Sequence, residues 1–253
     1  MAVDVIDLRT FYGSPLGQVT ERLLQRSVCQ LWTSCAGYSV LGIGYAIPYL
    51  EPLRANAVRT LAFMPAEQGV VNWPTNAPSA SALVDLGALP LPDSCIDRVL
   101  VVHALENNDH AYDMLAEIWR ILTPGGRMIL VTPNRSGVWA RFDTTPFGQG
   151  QPYSRSQLRS LMRQALFSPI HWGEALYAPP FERRVLLRSA PALESLGRKL
   201  SLPGAGVHIV EATKQLYQPI ALRRSVRTMA QWRPVLTSPG RALVSPGRAL
   251  REP

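Results

Sequence analysis

Residues 98–132 read RVLVVHALENNDHAYDMLAEIWRILTPGGRMILVT, and three parts of that stretch decide the fold. Arg98 to His103 is a short apolar run rich in β-branched residues, the pattern of a strand buried on both faces. Asp109 to Leu122 carries Tyr112, Leu115, Ile118, Trp119 and Leu122 at helical spacing. Pro124-Gly125-Gly126 then supplies a helix stop, and Met128 to Thr132 is a second apolar run. Strand, helix, strand is a βαβ unit, which sets its two strands parallel.

Working outward, the same alternation continues. Upstream lie short runs at Ser39–Ile43, Arg59–Met64 and Ala82–Asp85, with Pro48 placed where a helix can open and residues 65–81 a proline-rich loop. Residues 14–35 repeat apolar positions as an amphipathic helix does, opened by Ser14-Pro15. Downstream, Ser154 is an N-cap for a helix with Leu158, Leu161, Met162 and Leu166 in phase. Ser168–Leu176 and Gly206–Tyr217 read as strands, and Glu182–Leu202 has helical content. The expected fold is an α/β, doubly wound, mostly parallel sheet in a three-layer α/β/α arrangement. Its expected organisation is an N-terminal helical segment over 1–37, an α/β domain over 38–217 and a basic tail over 218–253. That tail contains SPGRAL twice, at 238–243 and 245–250, and its Pro, Gly and Arg content predicts disorder.

Composition narrows the function. With 47% apolar and 17% charged residues among 253, the chain is an ordinary globular protein. No apolar run reaches the ~20 residues of a membrane span. The N-terminus, MAVDVIDLRTFYG, carries acids where a secretory leader is basic, so a cytoplasmic location is expected. Cys29, Cys35 and Cys95 are three in number without CxxC spacing, which predicts reduced thiols and no metal site. The net charge of +8 is unevenly placed: residues 1–180 hold 13 basic and 14 acidic side chains, and residues 181–253 hold 13 and 4. The C-terminal third is therefore where a protein or anionic partner would bind. No nucleic-acid-binding module is present, which argues against a nucleic-acid partner.

In an open α/β sheet, ligands sit beyond the carboxyl ends of the strands, near the point where strand order reverses. Chemistry is thus expected at Gly42–Pro48, Met64–Glu67, Asp85–Leu86, His103–Glu106 and Thr132–Arg135. Gly42-x-Gly44 lets a ligand approach the backbone, because no Cβ intervenes. A dinucleotide fingerprint needs a further glycine where Ile47 stands, which argues against a dehydrogenase. No Ser-His-Asp set, phosphate loop or metal-ligand spacing occurs.

The ordered segments VLGIGYA (40–46), DLGALPLPDSCIDRV (85–99), HALEN (103–107), LAEIWRILTPGGRMILVTPN (115–134) and GVHIVEATK (206–214) resemble the class I S-adenosylmethionine-dependent methyltransferases. The likeness is to the ubiquinone-biosynthesis-like, type 11 subgroup. It implies S-adenosyl-L-methionine as cofactor, with Gly42, Gly44, Tyr45 and Ala46 around its methionine part. It further implies Met64 and Glu67 at the end of the second strand, Asp85 on the adenine amino group with Leu86 beside the ring, and His103 next to cofactor and acceptor. Two departures stand out. The motif's leading acid is Gly42, with Ala46 and Pro48 in place of its later glycines. The second strand ends Phe63-Met64-Pro65 without the usual ribose-binding acid, Glu67 being the nearest carboxylate. His103 is the candidate general base, with a near-neutral reference pKa. Residues 132–154, with Arg135, Arg141 and Tyr153, form the expected substrate loop for a small or medium-sized acceptor, to which His171 could add. The alternative is a catalytically inactive protein that keeps the fold and acts through its basic C-terminal third.

Overall fold

The computed structural model describes residues 3–200 and 202–216; the SPGRAL repeats and the expected tail lie outside them. Seven strands form one sheet in the order β3-β2-β1-β4-β5-β7-β6. They are β1 (Ser39–Gly44), β2 (Arg59–Pro65), β3 (Ser81–Val84), β4 (Ile96–Val102), β5 (Leu122–Pro133), β6 (Phe167–Ala175) and β7 (Val207–Lys214). The first five run parallel, and β7 is antiparallel to both β5 and β6. Strand order reverses at the β1–β4 pair, which puts a topological switch point between Gly44 and Val102.

Alternate residues of the central strands feed two cores. Val40, Leu100, Val102, Ile129 and Val131 face one side, toward α1 (Val5–Gly13), α2 (Pro15–Leu31), α3 (Ile47–Arg54) and α6 (Arg184–Leu200). Leu41, Ile43, Val99, Val101 and Leu130 face the other, toward α4 (Ala111–Ile121) and α5 (Arg155–Gln164). Helices on both faces leave the strands no solvated side, which is why they read as continuous apolar runs.

Three local expectations need correction. The α4 face that packs is Met114, Leu115, Ile118 and Ile121, whereas Tyr112 is 49% exposed. The helix ends at Ile121, and Leu122 already belongs to β5. Pro124-Gly125-Gly126 forms a bulge in that strand, since β5 advances from Leu122 to Arg127 while β4 advances only from Ile96 to Arg98. Finally, the helix expected over 14–35 stops at Leu31 and is preceded by α1. Ser14 closes α1 and opens α2, its Oγ accepting from the Gly17 amide at 3.0 Å. A Cβ at Gly17 would run into the Phe11 carbonyl, so the two helices can fold back this tightly only with glycine there.

Candidate functional site

The site is built at the carboxyl ends of β1 to β4. Past Val102 the chain turns sharply, and His103 takes φ 53°, a left-handed conformation that costs a histidine roughly 1 kcal/mol or more. A single 3-10 turn, Leu105–Asn107, follows and brings Glu106 back under the imidazole. His103 Nδ1 lies 3.2 Å from Glu106 Oε1, with both side chains essentially fully buried. The other ring nitrogen, Nε2, is 2.9 Å from the hydroxyl of Tyr12, which lies 2.8 Å from the hydroxyl of Tyr49. Burial pushes both phenols above the ordinary range, so Tyr12 and Tyr49 stay protonated.

Helix α1 carries Tyr12 across the top of this cluster. The Val5 amide donates to the Gln68 carbonyl at 2.7 Å, and the Gln68 side-chain Nε2 donates to the His103 carbonyl at 3.0 Å. Leu8 and Val3 are buried beneath the helix. The Tyr12 ring stacks on Tyr45 at 5.4 Å, and Phe147 stands 4.7 Å from the His103 ring. Two buried acceptors in this cluster, Gln68 Oε1 and Glu106 Oε2, have no hydrogen-bond partner.

Beside the cluster opens a cavity of about 690 Å³ between the ends of β2, β3 and β4. Glu67, Asp85, Leu86, Asn107 and Asp109 are among the residues lining it. Asp85 spends one carboxylate oxygen on the Gly87 amide, at 2.8 Å, and remains exposed. Such a wall, rich in acceptors, suits a ligand that presents amino and hydroxyl donors or a positive charge.

Of the residues singled out from sequence, Glu67, Asp85 and Leu86 share this cavity. The glycine segment lies beneath the lid made by α1. The missing Cβ of Gly42 leaves room for Leu50 and Ala46, and Gly44, at φ 75°, lies against the Val102 carbonyl and Ala104. Tyr45, Ala46, Met64 and His103 are buried. Tyr153 pairs with Asn134 behind His103, whereas His171 sits on edge strand β6 and lines a different cavity with Arg155 and Arg198. Arg135 and Arg141 are exposed, whereas Thr132, Asn134, Trp139, Thr145, Phe147 and Tyr153 of the 132–154 loop are buried. Sequence reading passed over Tyr12, Tyr49, Gln68 and the buried role of Glu106. The His103-x-x-Glu106 spacing, one turn apart, was an available signal for the last. Nothing local marks Tyr12, which meets His103 across 91 positions of chain.

With this geometry in place, likeness to known proteins becomes informative. Residues 41–130 match a methyltransferase domain family model. A 59-residue stretch is 44% identical to a ubiquinone/menaquinone biosynthesis C-methyltransferase of Acidiphilium cryptum, covering 23% of this chain and 24% of that one. A protein of Mycolicibacterium smegmatis described as a probable S-adenosylmethionine-dependent methyltransferase is 30% identical over 106 residues, 40% of either chain. The chain thus spans less than half the length of these curated relatives. Among solved structures, a SAM-dependent methyltransferase of Archaeoglobus fulgidus superposes with a TM-score of 0.57 at 15% identity, covering 77% of this chain and 94% of that one. The [4+2]-cyclase SpnF superposes at 0.52 with 20% identity, over 79% and 83%. At such identities the likeness shows the fold, and the cyclase illustrates that the fold alone does not name a reaction. Residues 41–130 are thus similar to a methyltransferase domain, and the sheet that carries them has the α/β fold of the class I methyltransferases on which it superposes.

Proposed function

We propose that the chain is a cytosolic S-adenosylmethionine-dependent methyltransferase acting on a small or medium-sized acceptor. The observation that carries the reading is the 690 Å³ cavity beside the switch point, which gathers Glu67, Asp85 and Leu86 from the ends of β2 and β3. Its donor-seeking wall fits the adenosine part of the cofactor. Asp85 would accept from the exocyclic amine, Leu86 would cover a ring face, and Glu67 would serve the ribose hydroxyls in place of a strand-two acid. The loop Gly42 to Ala46 would border the methionine part. When bound, the cofactor supplies a methyl group on a sulfonium, whose positive charge an acidic wall favours. The chain's own part is to orient the acceptor, exclude water and hold a proton. His103 is the candidate base; its Nε2 already accepts from the Tyr12 hydroxyl, so a proton would reach it only as Tyr12 passes its own on and takes another, and the Glu106 carboxylate at Nδ1 would stabilise the imidazolium that results. The three free cysteines agree with a reducing compartment, and no described helix is long and apolar enough to cross a membrane.

Thermal unfolding with millimolar S-adenosylmethionine tests this reading. A ligand at 100 times its Kd adds about 2.7 kcal/mol to stability, so Tm is expected to rise by several degrees. One observation favours a second reading: Leu50 and Ala46 pack against Gly42, and Val102 and Ala104 against Gly44, where the methionine part would lie. In that reading the fold is a binding module that works through its basic C-terminal third, and the cofactor leaves Tm unchanged.

A further inference from the structure

We infer that Tyr12 is a positioning residue for His103, holding the imidazole in the single tautomer and orientation in which Nδ1 carries the proton and Nε2 accepts. This inference rests on His103 being the base of the proposed reaction. It concerns a residue on α1, outside the segment 41–130 that matches the methyltransferase domain.

Donor counting fixes the direction of every bond in the chain Tyr49–Tyr12–His103–Glu106. The Tyr49 side chain is buried, and among the described residues its hydroxyl meets only that of Tyr12. If Tyr12 donated to Tyr49, the Tyr49 O–H would be left buried without an acceptor, a cost of about 1–3 kcal/mol. Tyr49 therefore donates to Tyr12. The Tyr12 proton then has one acceptor left, His103 Nε2 at 2.9 Å. A ring nitrogen that accepts carries no proton, so the proton of a neutral imidazole is on Nδ1, which donates to Glu106 Oε1 at 3.2 Å. This arrangement uses every donor once. Tyr45, stacked on Tyr12, Tyr153 and Glu21, whose charge acts on Tyr49, are titratable side chains near the chain of bonds, and none of them hydrogen-bonds to His103.

The ring is fixed in place as well as in protonation. Tyr12 and Phe147 contact it from two sides, and Gln68 and Asn107 donate to its backbone carbonyl. Because α1 is itself tied to Gln68, the orientation of the base and the closure of α1 are set by the same contacts.

Long-range 1H–15N NMR of the histidine rings in the full chain tests the inference. In the wild-type protein His103 is expected as the Nδ1–H tautomer, with its Nε2 resonance displaced from the free pyridine-type position by a donated hydrogen bond. Tyr12→Phe should abolish that displacement, while Tyr49→Phe, which spares the Tyr12–His103 bond, should retain it. An Nε2–H tautomer in the wild type would overturn the assignment. So would an Nε2 resonance that Tyr12→Phe leaves in place, or one that Tyr49→Phe removes as fully as Tyr12→Phe. Should Tyr12→Phe fail to fold, the wild-type tautomer and the Tyr49→Phe spectrum still decide. The spectra need no cofactor, so a chain that binds no S-adenosylmethionine can still pass or fail this test.

Discussion

At the residue scale, His103 and Asp85 divide the work by burial. Asp85 lies in the open, where a carboxylate keeps its charge cheaply and can wait for a donor. His103 lies fully enclosed, where each polar atom must be partnered or pay desolvation, and its partners come from α1 and the 3-10 turn. A second buried histidine, His208, shows the contrary case. Burial, reinforced by the Arg155 guanidinium, pushes its pKa down to about 4. A group whose folded pKa lies below its unfolded value of 6.5 makes the unfolded state bind more protons between those values. Stability should therefore fall as pH drops from about 6.5 to 4, by roughly 2 kcal/mol, and be flat above. Denaturant unfolding across that window measures it, with His208→Gln losing most of the slope; an unchanged slope would mean other groups cause it. Asp85 was legible in the sequence because the LPLPDSCIDRV segment fixes its register. Tyr12 was not, because a phenol's role at a distant imidazole leaves no mark on its own neighbours.

At the element scale, periodicity foretold the strands and most helices because a two-faced sheet demands apolar runs and one-faced helices. It misplaced Tyr112, since a 3.6-residue period tolerates an aromatic at the edge of the buried stripe. The two residues make a direct comparison. Leu115→Ala should cost about 2–5 kcal/mol in urea unfolding, as expected for an empty space in a closed core, and Tyr112→Ala less than about 0.5. Equal costs would show that α4 packs on a different face. Helix α1 was missed for want of a start signal that reads at a distance, although Asp4 caps it through the Ile6 amide at 2.7 Å. Its return onto the sheet depends on Gly17. Gly17→Ala forces the Phe11 carbonyl aside and should destabilise the protein by about 2 kcal/mol or more, seen as an earlier urea midpoint; a neutral outcome would show that the α1–α2 turn yields easily.

At the scale of the whole molecule, the sheet order brings three strand ends and one helix to a single rim. On the open side of that rim is the acceptor-lined cavity, and on the closed side is a histidine locked beneath α1. That parallel strands end at one rim was readable from the βαβ pattern. How the rim is roofed was not, since that depends on long-range packing between α1 and the β4 turn. Calorimetric titration of S-adenosylhomocysteine into the wild-type protein and Asp85→Asn tests most directly whether the cavity holds adenosine. Saturable binding is expected for the wild type. The variant should bind about 10-fold more weakly or worse, the loss of a charged hydrogen bond worth about 1.5–3 kcal/mol. Absence of binding, or equal affinity in the two proteins, would contradict the assignment of the cavity to the cofactor.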